Sequence, residues 1–215
     1  MLILDLYCGG QLASEGMVIS GHRVVGVDKD FHRQYCCEFI QMDVRELSVS
    51  FLRQFDFIAS SPPCQEYSRL KALQTKYSNG DGYLVEFTRD IISRSGVPGY
   101  IENVCQAPIA KDLVLCGCMF GKSLIRQRAF EFINWQPFFS PPMCVCGGRN
   151  DKALTIAGRG GWRVGQAHEL YGSLWLRSRQ EYAESIPPFY SAYVISLFEM
   201  WSKEYMSVSG KDWRY

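Results

Sequence analysis

Five short apolar runs, each leading to a glycine turn or a chemically useful polar residue, constrain this chain more than any other feature. Residues 2–7 (Leu-Ile-Leu-Asp-Leu-Tyr) lead into Cys8-Gly9-Gly10. Residues 23–28 end on Asp28, and residues 39–43 end on Asp43. Residues 55–60 run into Ser61-Pro62-Pro63-Cys64-Gln65, and residues 100–104 carry Glu102 and Asn103. Such runs read as buried strands. Residues 11–20 and 83–95 have helical spacing between them, and Gly96 stands just past the second. Strands alternating with helices predict an α/β fold: a mostly parallel sheet flanked by helices. Ligands of such sheets bind at the carboxyl ends of the strands. The polar signatures therefore converge on one edge, which points to an enzyme.

The 215 residues suit one domain of moderate size, and 47% hydrophobic against 21% charged residues supply a packed core. The net charge of +1 excludes a global cationic field, so a nucleic-acid role needs a local basic surface. Met1-Leu2-Ile3-Leu4 runs straight into Asp5 without a cationic start, unlike a signal peptide, and no apolar stretch is long enough for a membrane span. A soluble, cytoplasmic, monomeric protein is expected. Its nine cysteines then read as core residues, metal ligands or a nucleophile before they read as disulfides. Beyond residue 135, Pro137, Pro141, Pro142, Gly147-Gly148 and Gly158-Arg159-Gly160-Gly161 mark an irregular region. Helical periodicity returns over 177–205, broken at Ile186-Pro187-Pro188, and the last ten residues read as a loose tail.

Several residues at the strand ends can carry chemistry. The Asp5-x-Tyr7-Cys8-Gly9-Gly10 turn lets backbone approach a ligand, and Asp28 stands where an acid takes the ribose hydroxyls of a nucleoside cofactor. The bland alternative is an ordinary turn beside a solvated aspartate. Cys64 follows two prolines that fix the backbone, a preorganised position that suits a thiolate nucleophile rather than a merely packed thiol. Glu102, at a partly buried strand end, can hold a raised pKa and share a proton near neutrality, or simply cap a helix. Arg126 and Arg128 form either a guanidinium clamp or alternate residues of an exposed strand.

The ordered set Asp5-Leu6-Tyr7-Cys8-Gly9, Gly26-Val27-Asp28, Met42-Asp43-Val44, Pro62-Pro63-Cys64-Gln65, Glu102-Asn103-Val104 and Arg126-Gln127-Arg128 resembles the DNA cytosine-5 methyltransferase family, most closely its short phage-encoded members. The resemblance covers residues 2–132 and, more weakly, 181–200. It implies a Rossmann-like fold dependent on S-adenosylmethionine, with residues 1–132 and 181–205 as the catalytic domain and 133–180 as a small target-recognition region. It implies DNA as the partner, a flipped target cytosine, and a phage protein working in a bacterial host. Cys64 would attack ring carbon 6, with Glu102 on ring nitrogen 3 and the amino group. Arg128 would contact the cytosine carbonyl or support the thiolate, Arg126 would support the loop and Glu102, and Asn103 would brace the Cys64 loop. Asp28 would hold the cofactor ribose, Asp43 the adenine amino group, and the turn from Asp5 to Gly10 the methionine end. Val44 and Pro62 complete the cofactor set, and Gln65 and Ser68 join the substrate set. From the residues themselves, Arg69, Lys71 and Lys76 read either as phosphate contacts or as a solvated basic face, and Arg159, Trp162 and Arg163 either as DNA contacts on a flexible loop or as part of a plain surface turn.

The chain also departs from the family. Gln11 stands where a glycine is usual, Lys29 where an apolar residue packs on adenine, Leu124 where a glutamine is usual, and Glu184-Ser185-Ile186 where Gly-Asn-Ser is usual. Gln11 and Lys29 together suggest carboxymethyl transfer from carboxy-S-adenosylmethionine, whose carboxylate would need a donor or a cation. The short recognition region suits an RNA or nucleotide substrate as well as DNA. A DNA-binding module without catalysis is a rival of a different class, and the intact Cys64 and Glu102 argue against it. Cys116-x-Cys118 and Cys144-x-Cys146 could supply four zinc ligands, but their one-residue spacing is tighter than usual. No metal is assigned on sequence, and His22, His32 and His168 read as surface residues.

Overall fold

The computed structural model describes residues 1–31, 36–63, 83–146, 153–156, 162–173, 176, 178–210 and 212–213. Seven strands form one sheet in the order β3-β2-β1-β4-β5-β7-β6. They are β1 (Leu2–Leu6), β2 (Arg23–Asp28), β3 (Glu38–Gln41), β4 (Phe57–Ser60), β5 (Gly99–Asn103), β6 (Leu113–Leu115) and β7 (Arg128–Ile133). The first five run parallel, while β7 pairs antiparallel with both β5 and β6. The expected strands are all present, shifted by one or two residues.

Side chains alternate across the sheet, as strand geometry requires. Ile3, Val24, Phe57, Ala59, Tyr100 and Phe130 join a core on one face, while Leu4, Leu6, Val25, Val27, Ile58, Ile101 and Ala129 join a second core on the other. The first face is covered by α1 (Leu12–Ile19) and the long α6 (Pro188–Ser209), which pack on each other. Tyr190, Val194, Ile195, Leu197 and Phe198 of α6 are buried there. Burial of each such side chain contributes about 1.5–3 kcal/mol. Gly16 of α1 has no room for a side chain, since a Cβ there would lie 1.9 Å from the Pro188 carbonyl oxygen. The second face is covered by α2 (Val49–Leu52) and α3 (Leu84–Ser95).

Two sequence expectations fail here. The C-terminal tail is not loose: α6 continues to Ser209, and Trp213 packs edge-on against Phe198 with ring centroids 5.1 Å apart. An aromatic partner on the core face holds Trp213. The region after residue 135 is not wholly irregular either. It contains α4 (Val164–Tyr171), which packs with α5 (Arg179–Glu184) around a third core of Leu12, Leu124, Ile156, Trp162, Tyr171 and Tyr182. No described helix is long and apolar enough to cross a membrane.

Candidate active site

The strand order reverses between β1 and β4. From β1 the sheet grows outward to β2 and β3, and from β4 to β5. A crevice opens at the carboxyl ends of strands at such a reversal. The ends of β1, β2, β4 and β5 bring Asp5, Asp28, Ser61-Pro62-Pro63 and Glu102-Asn103 to it.

Asp5 is 1% exposed, on the α1 side of β1, and accepts a hydrogen bond from the Ser14 hydroxyl. Burial pushes its pKa up to about 7; the Ser14 bond opposes the shift, and the charges of Asp28 and Glu102 add to it. Beyond Asp5 the chain turns through Tyr7, whose φ of 59° is left-handed and whose hydroxyl lies 2.9 Å from the Thr88 hydroxyl of α3. The Cys8 N–H bonds the Val27 carbonyl at 3.2 Å, and the Gly9 N–H bonds Asp28 Oδ2 at 3.0 Å. Asp28 Oδ1 accepts from the Asp30 N–H at 3.0 Å. The first turn and the acid that ends β2 therefore form one unit. Gly10 is in close quarters: a Cβ there would lie 2.3 Å from Ser185 Oγ, so a side chain would require that serine to move.

Asp43 caps the short 3₁₀ turn Val44–Glu46 by accepting the Arg45 N–H at 2.9 Å, and the Arg45 guanidinium grips both its oxygens. Hydrogen bonding from Arg45 draws the Asp43 pKa down to about 2. Arg45 also donates to the Tyr83 hydroxyl at 2.8 Å. Val44 is buried beside it. Gln11 has a left-handed φ of 68°, and its Oε1 accepts from the Cys36 N–H at 3.1 Å. Lys29 is exposed, and its carbonyl accepts from Gln41 Nε2 at 3.1 Å.

Glu102 and Asn103 end β5 and are buried. Asn103 Nδ2 donates to the Pro62 carbonyl at 3.0 Å, so the β5 end grips the segment that leads to position 64. Arg128, first residue of β7, places Nε 2.9 Å from Glu102 Oε1. The two form an ion pair, but their alignment is not that of a hydrogen bond, and Glu102 Oε1 accepts none among the described residues. Burial raises the Glu102 pKa, against the pull of Arg128 and then Arg126.

Arg126 acts on Glu102 through its charge while its guanidinium binds backbone elsewhere. It is buried and donates to three backbone carbonyls: Ile156 at 2.6 Å, Ala183 at 2.7 Å and Ser185 at 2.5 Å. Its own carbonyl accepts from the Tyr190 hydroxyl at 2.6 Å. Burial, helped by the neighbouring Arg128, lowers its pKa to about 10, so it stays cationic at neutral pH. The three carbonyls take up its terminal nitrogens, while its buried Nε has no hydrogen-bond partner among the described residues.

Trp162 is also misread by sequence. It is 3% exposed within the third core, with Arg179 stacked 4.9 Å above its ring, so it is not a loop residue open to DNA. Arg163, the residue before α4, is exposed, and its backbone N–H bonds Gln166 Oε1 at 2.8 Å. Cys64, Gln65, Ser68, Arg69, Lys71, Lys76, Arg159 and His32 lie outside the described residues. His22 and His168 are both partly exposed; His22 lies 3.4 Å from Glu199, and His168 Nε2 lies 3.1 Å from the Leu176 carbonyl. Sequence reasoning missed Ser14, Ser185 and Tyr190. Ser14 alone left a signal, as a hydroxyl in the first turn of the helix that follows the glycine turn.

No family model matches the chain, and no curated protein sequence matches it. Among solved structures, the Dnmt2 methyltransferase of S. pombe superposes with a TM-score of 0.63 over 93% of this chain and 98% of that one, at 11% identity. This is a Rossmann-like methyltransferase fold. A candidate DNA modification methyltransferase encoded within an E. coli prophage aligns over 61% of this chain at 20% identity and a TM-score of 0.48. Spodoptera frugiperda DNMT2, as a triple mutant, aligns over 62% at 19% identity and 0.47. The alignments span 45% and 50% of those two chains, about half of each.

The donor set of the crevice fits the S-adenosylmethionine of such folds. Asp28 and Glu102 both act electrostatically on Asp5 across the strand ends. The carboxyl groups of Asp5 and Asp28, at neighbouring strand ends, suit a ligand that carries an ammonium and a sulfonium. Asp28 additionally offers acceptor oxygens at the end of β2, where ribose hydroxyls are held in related folds.

Proposed function

We propose that this chain is an S-adenosylmethionine-dependent methyltransferase acting on carbon 5 of cytosine in DNA, with Cys64 as the attacking nucleophile. The observation that carries this reading is the state of Glu102. Its carboxyl group is buried, inclined to hold a proton, paired electrostatically with Arg128, and keeps one oxygen without a hydrogen bond among the described residues. The cytosine edge presents a ring nitrogen that needs a proton beside an amino group that needs an acceptor. A protonated Glu102 offers both partners at once.

Cytosine must leave the stack to reach such a pocket. The Cys64 thiolate adds to ring carbon 6, and the displaced electron pair moves into the ring. Glu102 gives its proton, or a strong hydrogen bond, to ring nitrogen 3, so no unstabilised anion forms. Carbon 5 becomes nucleophilic. Bound S-adenosylmethionine supplies the electrophilic methyl group, with Asp28 at its ribose and the Asp5–Gly10 turn at its methionine end. The sulfonium–methyl bond would break as the carbon 5–methyl bond forms, leaving S-adenosylhomocysteine. Loss of the carbon 5 proton to a base, departure of the Cys64 thiolate and return of the nitrogen 3 proton to Glu102 would then restore the ring. Pro62 and Pro63 restrict the backbone ahead of Cys64, and Asn103 holds the Pro62 carbonyl.

Mass spectrometry of nucleosides tests this. DNA and RNA are incubated separately with the protein and cofactor, with Cys64→Ser as control. The expected product is 5-methylcytosine in DNA, absent with the serine variant. Product confined to RNA would move the substrate, and no modified cytosine in either polymer would overturn the reading. The same spectra report a carboxymethyl product. Of the two residues that suggested it, Lys29 is exposed, so methyl is the reading preferred.

A further inference from the structure

The structure brings together four cysteines that the sequence spreads over 31 positions, Cys116 to Cys146. The Sγ atoms of Cys116, Cys118, Cys144 and Cys146 all lie within 4.8 Å of one another. Cys116 and Cys146 are 3.8 Å apart, Cys118 and Cys144 3.5 Å, and Cys144 and Cys146 3.0 Å. None of these is a bonded sulfur pair, and all four thiols are free. Four thiolates around a tetrahedral zinc ion, each about 2.3 Å from the metal, have sulfurs about 3.8 Å apart. The observed spacings scatter about that value.

Local backbone explains why the tight spacing is no obstacle. Cys116 is extended, with φ −140° and ψ 146°, and Cys118 lies in the 3₁₀ turn Gly117–Phe120 that follows at once. Extended-to-turn geometry lets residues two apart face one point. On the other arm, Val145 between the two cysteines is 62% exposed while Cys144 and Cys146 reach the cluster, which is the alternation of an extended segment.

Trp135 and Phe139 hold the start of the segment that brings in the second pair to the first core. Beyond them, residues 140–146 form no helix or strand and none is buried, with Met143 and Val145 pointing to solvent. A cross-link at Cys144 and Cys146 would fix this last part.

We propose that Cys116, Cys118, Cys144 and Cys146 are the ligands of one structural zinc ion. The thiols bind as thiolates and release their protons to solvent, with no change of redox state. Four protein ligands leave no open position, so the ion staples and does not catalyse. It ties the start of the 133–180 region to the β6 edge, where Leu115, next to Cys116, is paired in register with Arg128.

The full chain, purified without chelator, is analysed for metals, then stripped under reducing conditions and titrated with Zn(II) and with Co(II). The expected results are one zinc per chain, stoichiometric uptake, and the visible spectrum of tetrahedral thiolate-bound cobalt. Cys118→Ser and Cys144→Ser should each lower zinc affinity at least about tenfold, as loss of a ligand does, while Cys105→Ser retains it. Cys144 is exposed, so its serine variant should fold; circular dichroism checks this. A chain that carries no metal and takes up none when reduced would overturn the proposal. So would iron in place of zinc, or thiol mapping that finds Cys144–Cys146 and Cys116–Cys118 disulfides in protein kept under reductant.

Discussion

Asp5→Asn should make the protein more stable at pH 8 and a poorer binder of its cofactor. In the native chain the Asp5 carboxyl is buried against Ser14 and titrates near 7, against 3.8 when solvated. Folding therefore raises its pKa by about 3 units. The raised value means that the ionised form is disfavoured in the fold. This residue's contribution to stability is complete below pH 3.8 and is lost as pH rises toward 7. At about 1.4 kcal/mol per unit, the full loss is about 4 kcal/mol, of which about 2.5 kcal/mol falls between pH 5 and pH 8. Asparagine has nearly the same shape, still accepts from Ser14 and carries no charge. Urea unfolding of both proteins at the two pH values measures the difference. The stability gap between variant and native should widen in favour of asparagine by about 2.5 kcal/mol from pH 5 to pH 8. A gap that stays within about 0.5 kcal/mol, or that moves the other way, would refute the account of Asp5 as a destabilised carboxyl. Calorimetry with S-adenosylmethionine should show the opposite trend: loss of a carboxylate from a cation-binding edge weakens affinity. Stability given up at a binding edge is a common pattern.

Three further substitutions test separate parts of the crevice. Glu102→Gln should lower turnover about 10²-fold, the usual effect of losing a general acid. It should also abolish the decline in native rate as pH rises through the raised Glu102 pKa; an unchanged pH–rate profile would exclude the role. Arg126→Met should cost about 3–5 kcal/mol, since it leaves three buried carbonyls without their donor, and a urea midpoint shift worth under about 1 kcal/mol would contradict this. Asp28→Ala should weaken cofactor binding and leave DNA affinity unchanged, with equal cofactor affinity in calorimetry as the contrary result.

The sheet was legible because its signals are local. Each strand is a short apolar run with a turn residue at its end, and parity along the run decides which face each side chain takes. Asp5 shares parity with Ile3, and that alone puts it on the α1 side where Ser14 waits. Asn103 and Glu102 were legible for the same reason, as the last residues of a strand at the binding edge. What failed to show are pairings across long separations. Nothing local says that Ser185 comes within reach of Gly10, that Tyr190 donates to the Arg126 carbonyl, or that two cysteine pairs meet. Trp162 was misread because glycines and cations beside it suggest an open loop. An indole with a stacked arginine and a core to enter gains more from burial than from exposure.

Arg126 and Arg128 show how one short stretch divides its work. Both are cations within two residues, and both bear electrostatically on Glu102. Arg128 lies in β7, whose antiparallel register sets it beside the β5 end, so its charge faces the carboxyl directly. Arg126 precedes the strand, and its fork spreads over carbonyls from residue 156 and from residues 183 and 185. Those residues belong to the region expected to read the target and to the segment leading into α6. Ser185 in turn lies close to Gly10 in the turn after β1. A path of neighbouring groups therefore runs from the 133–180 region through Arg126 and Ser185 to the turn proposed to hold the cofactor. Arg128, two residues along the same backbone, acts on Glu102. Displacing Arg126 would loosen the recognition segment, the Gly10 turn and the lead into β7 together, so its loss should disturb cofactor and substrate binding at once. An isolated contact to substrate would disturb only one.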